Sequence, residues 1–328
     1  MKKNTSILLV LFLTAFCACD NELEVNADYK ETIVVYGLLD YTQPEQFIKI
    51  NKAYLSKDNS AYIDAQESDS LYLDSVEAKL IDNFGKEFLL TKTKVANKKD
   101  GVFTNDVNTF YTTTAKLSPA NAYHIEVKNP ITNNLVSSYT KLVGRPRILS
   151  PISSNQIIWL INPNANLKFQ FLTGINGVLY DLKVKFTYEE MQASDTNLRD
   201  TFTKDWFILK NRILVNADGN VPVIVNVDAG LFYDFIDSKI EANTNVKRRA
   251  LSGAIVVYGG GEEINTYISV SRPSIGIVQK TTDYSNINNG RGIFSSRNIH
   301  SIEDIKFSPL TLGYLRTDSR TADLNFIN

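Results

Sequence analysis

The hexapeptide Tyr123-His124-Ile125-Glu126-Val127-Lys128 places Tyr123, Ile125 and Val127 on one side of an extended chain, and His124, Glu126 and Lys128 on the other. Alternation with a period of two is the mark of a strand lying half-buried on a core. Short runs rich in β-branched and aromatic residues, bounded by turn residues, recur at 32–39, 46–53, 76–82, 87–91, 111–117, 123–128 and 135–142. Asp82-Asn83-Phe84-Gly85 between two of them has the composition of a hairpin turn. Seven strands in about 120 residues predict an immunoglobulin-like β-sandwich over 31–143.

The stretch Val143-Gly144-Arg145-Pro146-Arg147-Ile148-Leu149-Ser150-Pro151 interrupts the pattern. Proline restricts itself and the residue before it, so 144–151 is expected to be a linker. Beyond it, strands are expected at 157–161, 167–173, 178–188, 206–209, 221–227, 254–258 and 265–271, with a hairpin at Asp218-Gly219. One helix is expected after Asp228 as N-cap, with Leu231, Phe232, Phe235, Ile236 and Ile240 forming an apolar stripe over the second sheet and Lys239 near its end. The expected class is therefore all-β, with a second β-rich domain at 152–328 carrying one or two short helices. No internal repeat points to a propeller or solenoid.

The start of the chain speaks to location. Met1-Lys2-Lys3 precedes an apolar run from Ile7 to Leu13, far short of the ~20 residues needed to span a bilayer and laid out like a secretory signal. Cys19, preceded by Ala18, resembles the lipid-attachment cysteine of bacterial lipoproteins. That resemblance implies a signal peptide at 1–18, acylation of Cys19 and a tether at 19–30. Two or more acyl chains hold a protein firmly at a membrane, whereas one holds it marginally. The acidic residues Asp20, Glu22 and Glu24 resemble the surface-export signals of Bacteroidota lipoproteins, implying the outer face of the outer membrane. Cys17 and Cys19 are the only cysteines, so after processing no disulfide braces the body and stability must come from core burial.

Catalytic constellations are scarce. The charge of -1, from 35 basic and 36 acidic residues, gives no phosphate-tracking surface, and no nucleic-acid partner is expected. His124 and His300 lie in no metal-spaced motif, and no Gly-x-Ser-x-Gly nucleophile elbow occurs. Neither Glu189-Glu190 nor Glu262-Glu263 forms a glycosidase pair by itself, because adjacent strand residues face opposite ways. Tyr258-Gly259-Gly260-Gly261-Glu262-Glu263 lacks the Lys-Ser/Thr of a phosphate loop and reads as a hairpin connection, while Lys247-Arg248-Arg249 reads as a solvated turn. The acidic loop 64–70 has neither the spacing nor the glycine of an EF-hand. No enzyme activity, cofactor or metal is expected. The 16 Tyr, 17 Phe and 2 Trp belong mainly in the core, and those left exposed suit glycan stacking or a protein interface. Trp159 is expected buried; Trp206 fits either environment.

Several stretches, taken in order, resemble one family: Bacteroidota envelope lipoproteins of uncharacterised function, often encoded near TonB-dependent outer-membrane receptors. They are the lipoprotein start, Ile33-Val34-Val35-Tyr36-Gly37-Leu38-Leu39, Ile48-Lys49-Ile50-Asn51-Lys52-Ala53, and Asp74-Ser75-Val76-Glu77-Ala78-Lys79-Leu80 with its Asn83-Phe84-Gly85 turn. Gly101-Val102-Phe103, the 121–127 strand and Asp283-Tyr284-Ser285-Asn286-Ile287-Asn288-Asn289-Gly290-Arg291-Gly292-Ile293-Phe294 complete the set. In the last segment, Gly290 and Gly292 permit a tight, fold-defining bend near the core. The resemblance implies a surface-facing lipoprotein docking on an outer-membrane β-barrel complex, either a TonB-dependent transporter or assembly machinery. A glycan-binding module for nutrient capture is the alternative. No catalytic residue is carried over.

Overall fold

The computed structural model describes residues 31–53, 71–95, 108–151, 158–271 and 283–327. In the first half these form β1 (Ile33–Leu39), β2 (Gln46–Lys52), β3 (Glu77–Asp82), β4 (Glu87–Leu89), β5 (Thr91–Lys94), β6 (Thr109–Thr113), β7 (Ala122–Lys128) and β8 (Leu135–Lys141). There follow β9 (Arg147–Ser150), β10 (Ile158–Trp159), β11 (Asn166–Leu172), β12 (Leu179–Gln192), β13 (Arg199–Ile213), β14 (Pro222–Asp228), helix α1 (Gly230–Lys239) and β15 (Val246–Gly260). Helix α2 (Glu262–Val270), β16 (Arg291–Phe307) and helix α3 (Pro309–Thr317) complete the order.

The strands make one large sheet and two small ones. The large sheet runs β13-β12-β15-β16-β1-β2-β6-β5, with β10 also on β16; the small ones run β4-β3-β7-β8 and β14-β11-β9. The described residues are mainly β, which bears out the expected all-β class at that coarser level. Each sheet buries alternate residues, as period-2 geometry dictates. Ile33, Val35 and Leu39 of β1 and Ile48 and Ile50 of β2 meet Leu80 of β3 and Tyr123, Ile125 and Val127 of β7 in a first core. Tyr180, Leu182, Val184, Phe186 and Tyr188 of β12 meet Phe169 and Phe171 of β11 and Phe232, Tyr233 and Ile236 of α1 in a second. At its centre the Phe186 ring lies between 5.5 and 6.0 Å from the rings of Tyr188, Phe232, Phe307 and Phe326. Fully burying a side chain of this size contributes about 1.5–3 kcal/mol.

One strand belongs to both cores. β16 pairs in parallel with β1 through 291–296 and antiparallel with β15 through 297–305. Phe294 fills the first core while Ile305 and Phe307 fill the second. The expected 31–143 sandwich is thus not closed by its own residues, because Ile287 and Phe294 complete its core. Nor is 144–151 a bare linker. Arg147–Ser150 is a strand against β11, Gly144 N donates to Ile175 O at 2.8 Å, and Val143 N donates to Ser296 Oγ at 2.9 Å. Pro146 and Pro151 bracket this strand.

Other expectations are corrected by local chemistry. The stretch 265–271, expected as a strand, is α2 through Val270 with Ser271 as its C-cap: Ile264, Tyr267 and Ile268 follow i, i+3, i+4 spacing, and Glu262 and Glu263 suit the positive end of the helix. The 258–263 glycine stretch is therefore no hairpin connection; Gly259 and Gly260 end β15 and Gly261 is the N-cap of α2. Lys247-Arg248-Arg249 lies inside β15 rather than in a turn. The helix after Asp228 is present, with Ala229 at the N-cap while Asp228 Oδ1 accepts from Gly230 N at 2.8 Å. A helix not anticipated, α3, starts where Ser308 Oγ accepts from Thr311 N at 3.1 Å and Pro309 opens the first turn, so the described residues hold three helices rather than one or two.

The bend at Gly290 and Gly292 has a clear cause. Gly292 has φ +109°, and a Cβ there would lie 2.0 Å from the carbonyl oxygen of Val35. Only glycine lets β16 approach β1 this closely. Gly85 also has a positive φ, +81°, but a Cβ on it would meet nothing within 4 Å. Urea unfolding of Gly292→Ala is expected to show a loss of at least about 2 kcal/mol, against about 1 kcal/mol for Gly85→Ala, where only the left-handed backbone is penalised. Equal losses would show that the close approach is not limiting.

Candidate functional site

The inner face of the large sheet is covered by the two cores, and its outer face carries the most distinctive surface. On β1 and β2 the inward phase is aliphatic, so Tyr36 and Phe47 point outward, 45% and 46% exposed. Phe110 of β6 stands edge-on to Phe47 with ring centroids 5.9 Å apart. Lys49, next outward residue of β2, lies 4.9 Å from the centroids of both Tyr72 and Phe110, and its Nζ donates to Tyr72 Oη and Asn108 Oδ1 at 2.8 Å each. Rings on two sides favour the ammonium through their quadrupoles. Tyr36 also faces α2: burial first, then the proximity of Tyr267 and Asp283, pushes its phenol above the usual range.

Farther along the same face the arrangement repeats. Lys183 of β12 lies 5.5 Å from the Phe207 ring and 5.3 Å from the Tyr258 ring, and its Nζ donates to Asp205 Oδ2 at 2.9 Å. Burial works against the Lys183 charge, yet Asp205 and Tyr258 hold its pKa above the ordinary lysine value.

Two clefts open between these lysines. The larger, about 350 Å³, is lined by Tyr36, Phe47, Lys49, Phe110, Glu45 and Gln43 among others; the smaller, about 170 Å³, by Leu179, Asp181, Tyr258 and Ile264. Leu38 and Arg297 border both. The β1–β2 turn that forms one wall is firmly built: Gln46 exchanges two hydrogen bonds with the backbone of Asp40 at 2.8 and 2.9 Å, and Asp40 Oδ1 accepts from Thr42 N and Oγ1. Arg297 is exposed, and its guanidinium makes no hydrogen bond or ion pair among the described residues.

The residues singled out in the sequence fall elsewhere. Cys19, the 19–30 tether and the 64–70 loop lie outside the described residues. His124 is exposed on the four-stranded sheet with its ring 4.8 Å from that of Tyr139. Glu189 pairs with Arg249 at 2.8 Å and Arg199 at 3.5 Å, while Glu190 pairs with Arg248. Glu263 Oε2 accepts from Ser295 Oγ at 2.8 Å and Thr140 Oγ1 at 3.1 Å. Glu189, Glu190 and Glu263 are thus held by partners in the fold, whereas Glu262 stands in the first turn of α2. Trp159 is buried, and Trp206 packs on α1, 5.7 Å from Phe232 and stacked 6.0 Å from Phe235. Among the described residues no group of three or more His, Cys, Asp or Glu is placed to hold a metal ion, and no helix is long and apolar enough to cross a membrane. Compared with known proteins, the chain matches no family model and no curated protein sequence.

Sequence reasoning missed the outer-face cluster. A signal for part of it existed, since large aromatics occupy the phase opposite to the aliphatic one in β1 and β2. Nothing local could bring Arg297 to them.

Two polar groups, Arg248 buried and His300 partly buried, give tests of the scaffold. Arg248 is 3% exposed; it pairs with Glu190 at 2.9 Å and donates to Leu324 O at 2.8 Å and Glu241 O at 3.0 Å, tying the C-terminal turn to β15. Removing one partner of a buried pair leaves the other charge uncompensated. Arg248→Met is expected to lower the unfolding free energy by about 3 kcal/mol in urea titration, and a change near zero would mark the pair as dispensable.

His300 Nδ1 accepts from Ile148 N at 3.1 Å, which requires an unprotonated ring nitrogen. Burial first, then the Arg145 and Arg147 charges, depresses its pKa below the ordinary value of 6.5. The unfolded chain therefore takes up the proton first as pH falls, so this contribution is intact above the unfolded pKa and lost on passing down through the folded one. Chemical denaturation from pH 7.5 to 5 is expected to show declining stability for the parent protein. His300→Asn, which keeps an acceptor without a titrating ring, is expected to flatten that slope; an identical slope would place its origin elsewhere.

Proposed function

We propose that this protein is a non-catalytic binding lipoprotein, held at the outer face of the outer membrane by acyl chains on Cys19. It docks through the outer face of its large sheet on an outer-membrane β-barrel complex, a TonB-dependent transporter or assembly machinery. The observation that carries the reading is the row of aromatic and charged side chains on that face, with Tyr36, Phe47 and Phe207 each nearly half exposed on strands joined by backbone hydrogen bonds. Rigid rings on a rigid sheet lose little entropy on association, which suits recognition. The likeness of the 33–39, 48–53, 74–80 and 283–294 stretches to Bacteroidota envelope lipoproteins supports the same assignment. The packing of β4-β3-β7-β8 on β1, β2 and β6 supports an immunoglobulin-like description of the first half.

A second reading, cell-surface glycan capture, is favoured by one specific observation: the cleft between Tyr36, Phe47 and Phe110 joins ring faces to the polar heads of Glu45 and Gln43. Sugars present the matching combination of apolar C–H faces and hydroxyls.

Cys19→Ser is expected to move the protein from the membrane to the soluble fraction, and retention at the membrane would remove the anchoring reading. Crosslinking of the anchored full-length protein before detergent extraction is expected to recover a β-barrel partner. Repeated recovery of the uncrosslinked chain alone would count against docking.

A further inference from the structure

We infer that the two clefts flanking Arg297 together take an acidic oligosaccharide, with Arg297 pairing a sugar carboxylate. The inference rests on the glycan reading and goes beyond it in naming the charge of the ligand.

Three observations carry it. First, the strands under the clefts cannot recognise a partner through their backbones. β1, β2, β12 and β15 each have a strand neighbour on both sides, so a peptide has no free edge there to extend. Recognition must come from side chains, and the rings of Tyr36, Phe47 and Tyr258 offer flat apolar faces suited to sugar rings.

Second, Arg297 stands between the clefts as an uncommitted cation. Of the other charged groups nearby, Lys49 is engaged by Tyr72 and Asn108, Lys183 by Asp205, Asp40 by Thr42 and Asp181 by Asn211 N, while Glu45 on the wall of the larger cleft carries the one other charge with no side-chain partner among the described residues. Arg297 has no such partner among the described residues, and its planar fork of five donors matches a carboxylate bidentately. A neutral sugar could accept from that fork only through hydroxyl oxygens, without the charge-assisted bidentate pair.

Third, the clefts are adjacent rather than separate. Leu38 and Arg297 form the rim common to both, so a ligand crossing from one to the other must pass the guanidinium. The larger volume, about 350 Å³, falls within the range of small-ligand sites, roughly 300–1,000 Å³, and the smaller continues it. A chain of sugars fits this layout better than a single ring does.

The test is calorimetric titration of the detergent-solubilised full-length protein with tetramers of galacturonate, glucuronate and mannuronate, their carboxyl-reduced neutral counterparts, and sulfated tetramers. The expected result is binding of at least one uronate at least about tenfold tighter than its reduced form, the effect of a single charge-assisted pair. Arg297→Gln, an exposed substitution that breaks no contact, is expected to erase that difference with an unchanged urea midpoint. Phe47→Ala is expected to weaken acidic and neutral forms alike. Equal binding of acidic and reduced forms, indifferent to Arg297→Gln, would overturn the charge assignment and leave the glycan reading standing. Preference for the sulfated tetramers would overturn the carboxylate. No binding to any sugar would remove both the inference and the reading beneath it.

Discussion

The parallel pairing of β1 with β16 is the interaction on which the rest of the molecule depends. It joins a strand near the start of the described chain to one near its end, so everything between forms one closed excursion. Parallel neighbours need a long crossover, and here that crossover contains most of both cores. The approach is governed by sterics at Gly290 and Gly292, where side chains would strike the Ile33 and Val35 carbonyls. It is completed by Asn286, whose side-chain amide exchanges hydrogen bonds with both backbone groups of Phe294 at 2.7 and 2.9 Å, taking the place of a strand along that edge.

From this pairing follows a continuous surface. Because β16 passes from β1 to β15, residues from both halves of the chain share one outer face, and the rim between the clefts is made by Leu38 and Arg297, far apart in sequence. The same face carries cross-strand ion pairs, Lys183 with Asp205 and Glu189 with Arg199 and Arg249. Pairs of this kind stabilise little individually but penalise a slipped register, since a one-residue shift turns every side chain to the opposite face. A binding platform whose geometry is set before any ligand arrives loses less on association than a loop-built one.

Much of the strand pattern was legible before the structure. The alternation in 123–128 and the turn at Gly85 depend on neighbours one or two residues away, and both are found where expected. Errors came where local signals were degenerate. Thr266, Tyr267, Ile268 and Val270 have the β-branched and aromatic composition of a strand while Ile264, Tyr267 and Ile268 have helical spacing, and the glycines before them permit a hairpin or a helix start equally. Lys247-Arg248-Arg249 has the composition of a turn, yet Arg248 is drawn into the interior by Glu190 and two carbonyls that no reading of the local sequence could supply. Of the candidate site, the outward aromatics of β1 and β2 could be inferred from strand phase; their grouping with Tyr258 and Arg297 could not.

Taken alone, the amino-acid order determined that this chain builds half-buried strands, that it does so with no cysteine beyond residue 19, and that left-handed backbone conformations among the described residues fall at glycine, asparagine and aspartate, because these properties depend on covalent chemistry and short-range sterics. Tertiary structure alone decided that two cores share β16, that a buried guanidinium ties the last turn to β15, and that rings and charges from distant segments meet on one face. Those outcomes depend on which strands pair across long separations, and pairing is chosen by the packing of the whole chain.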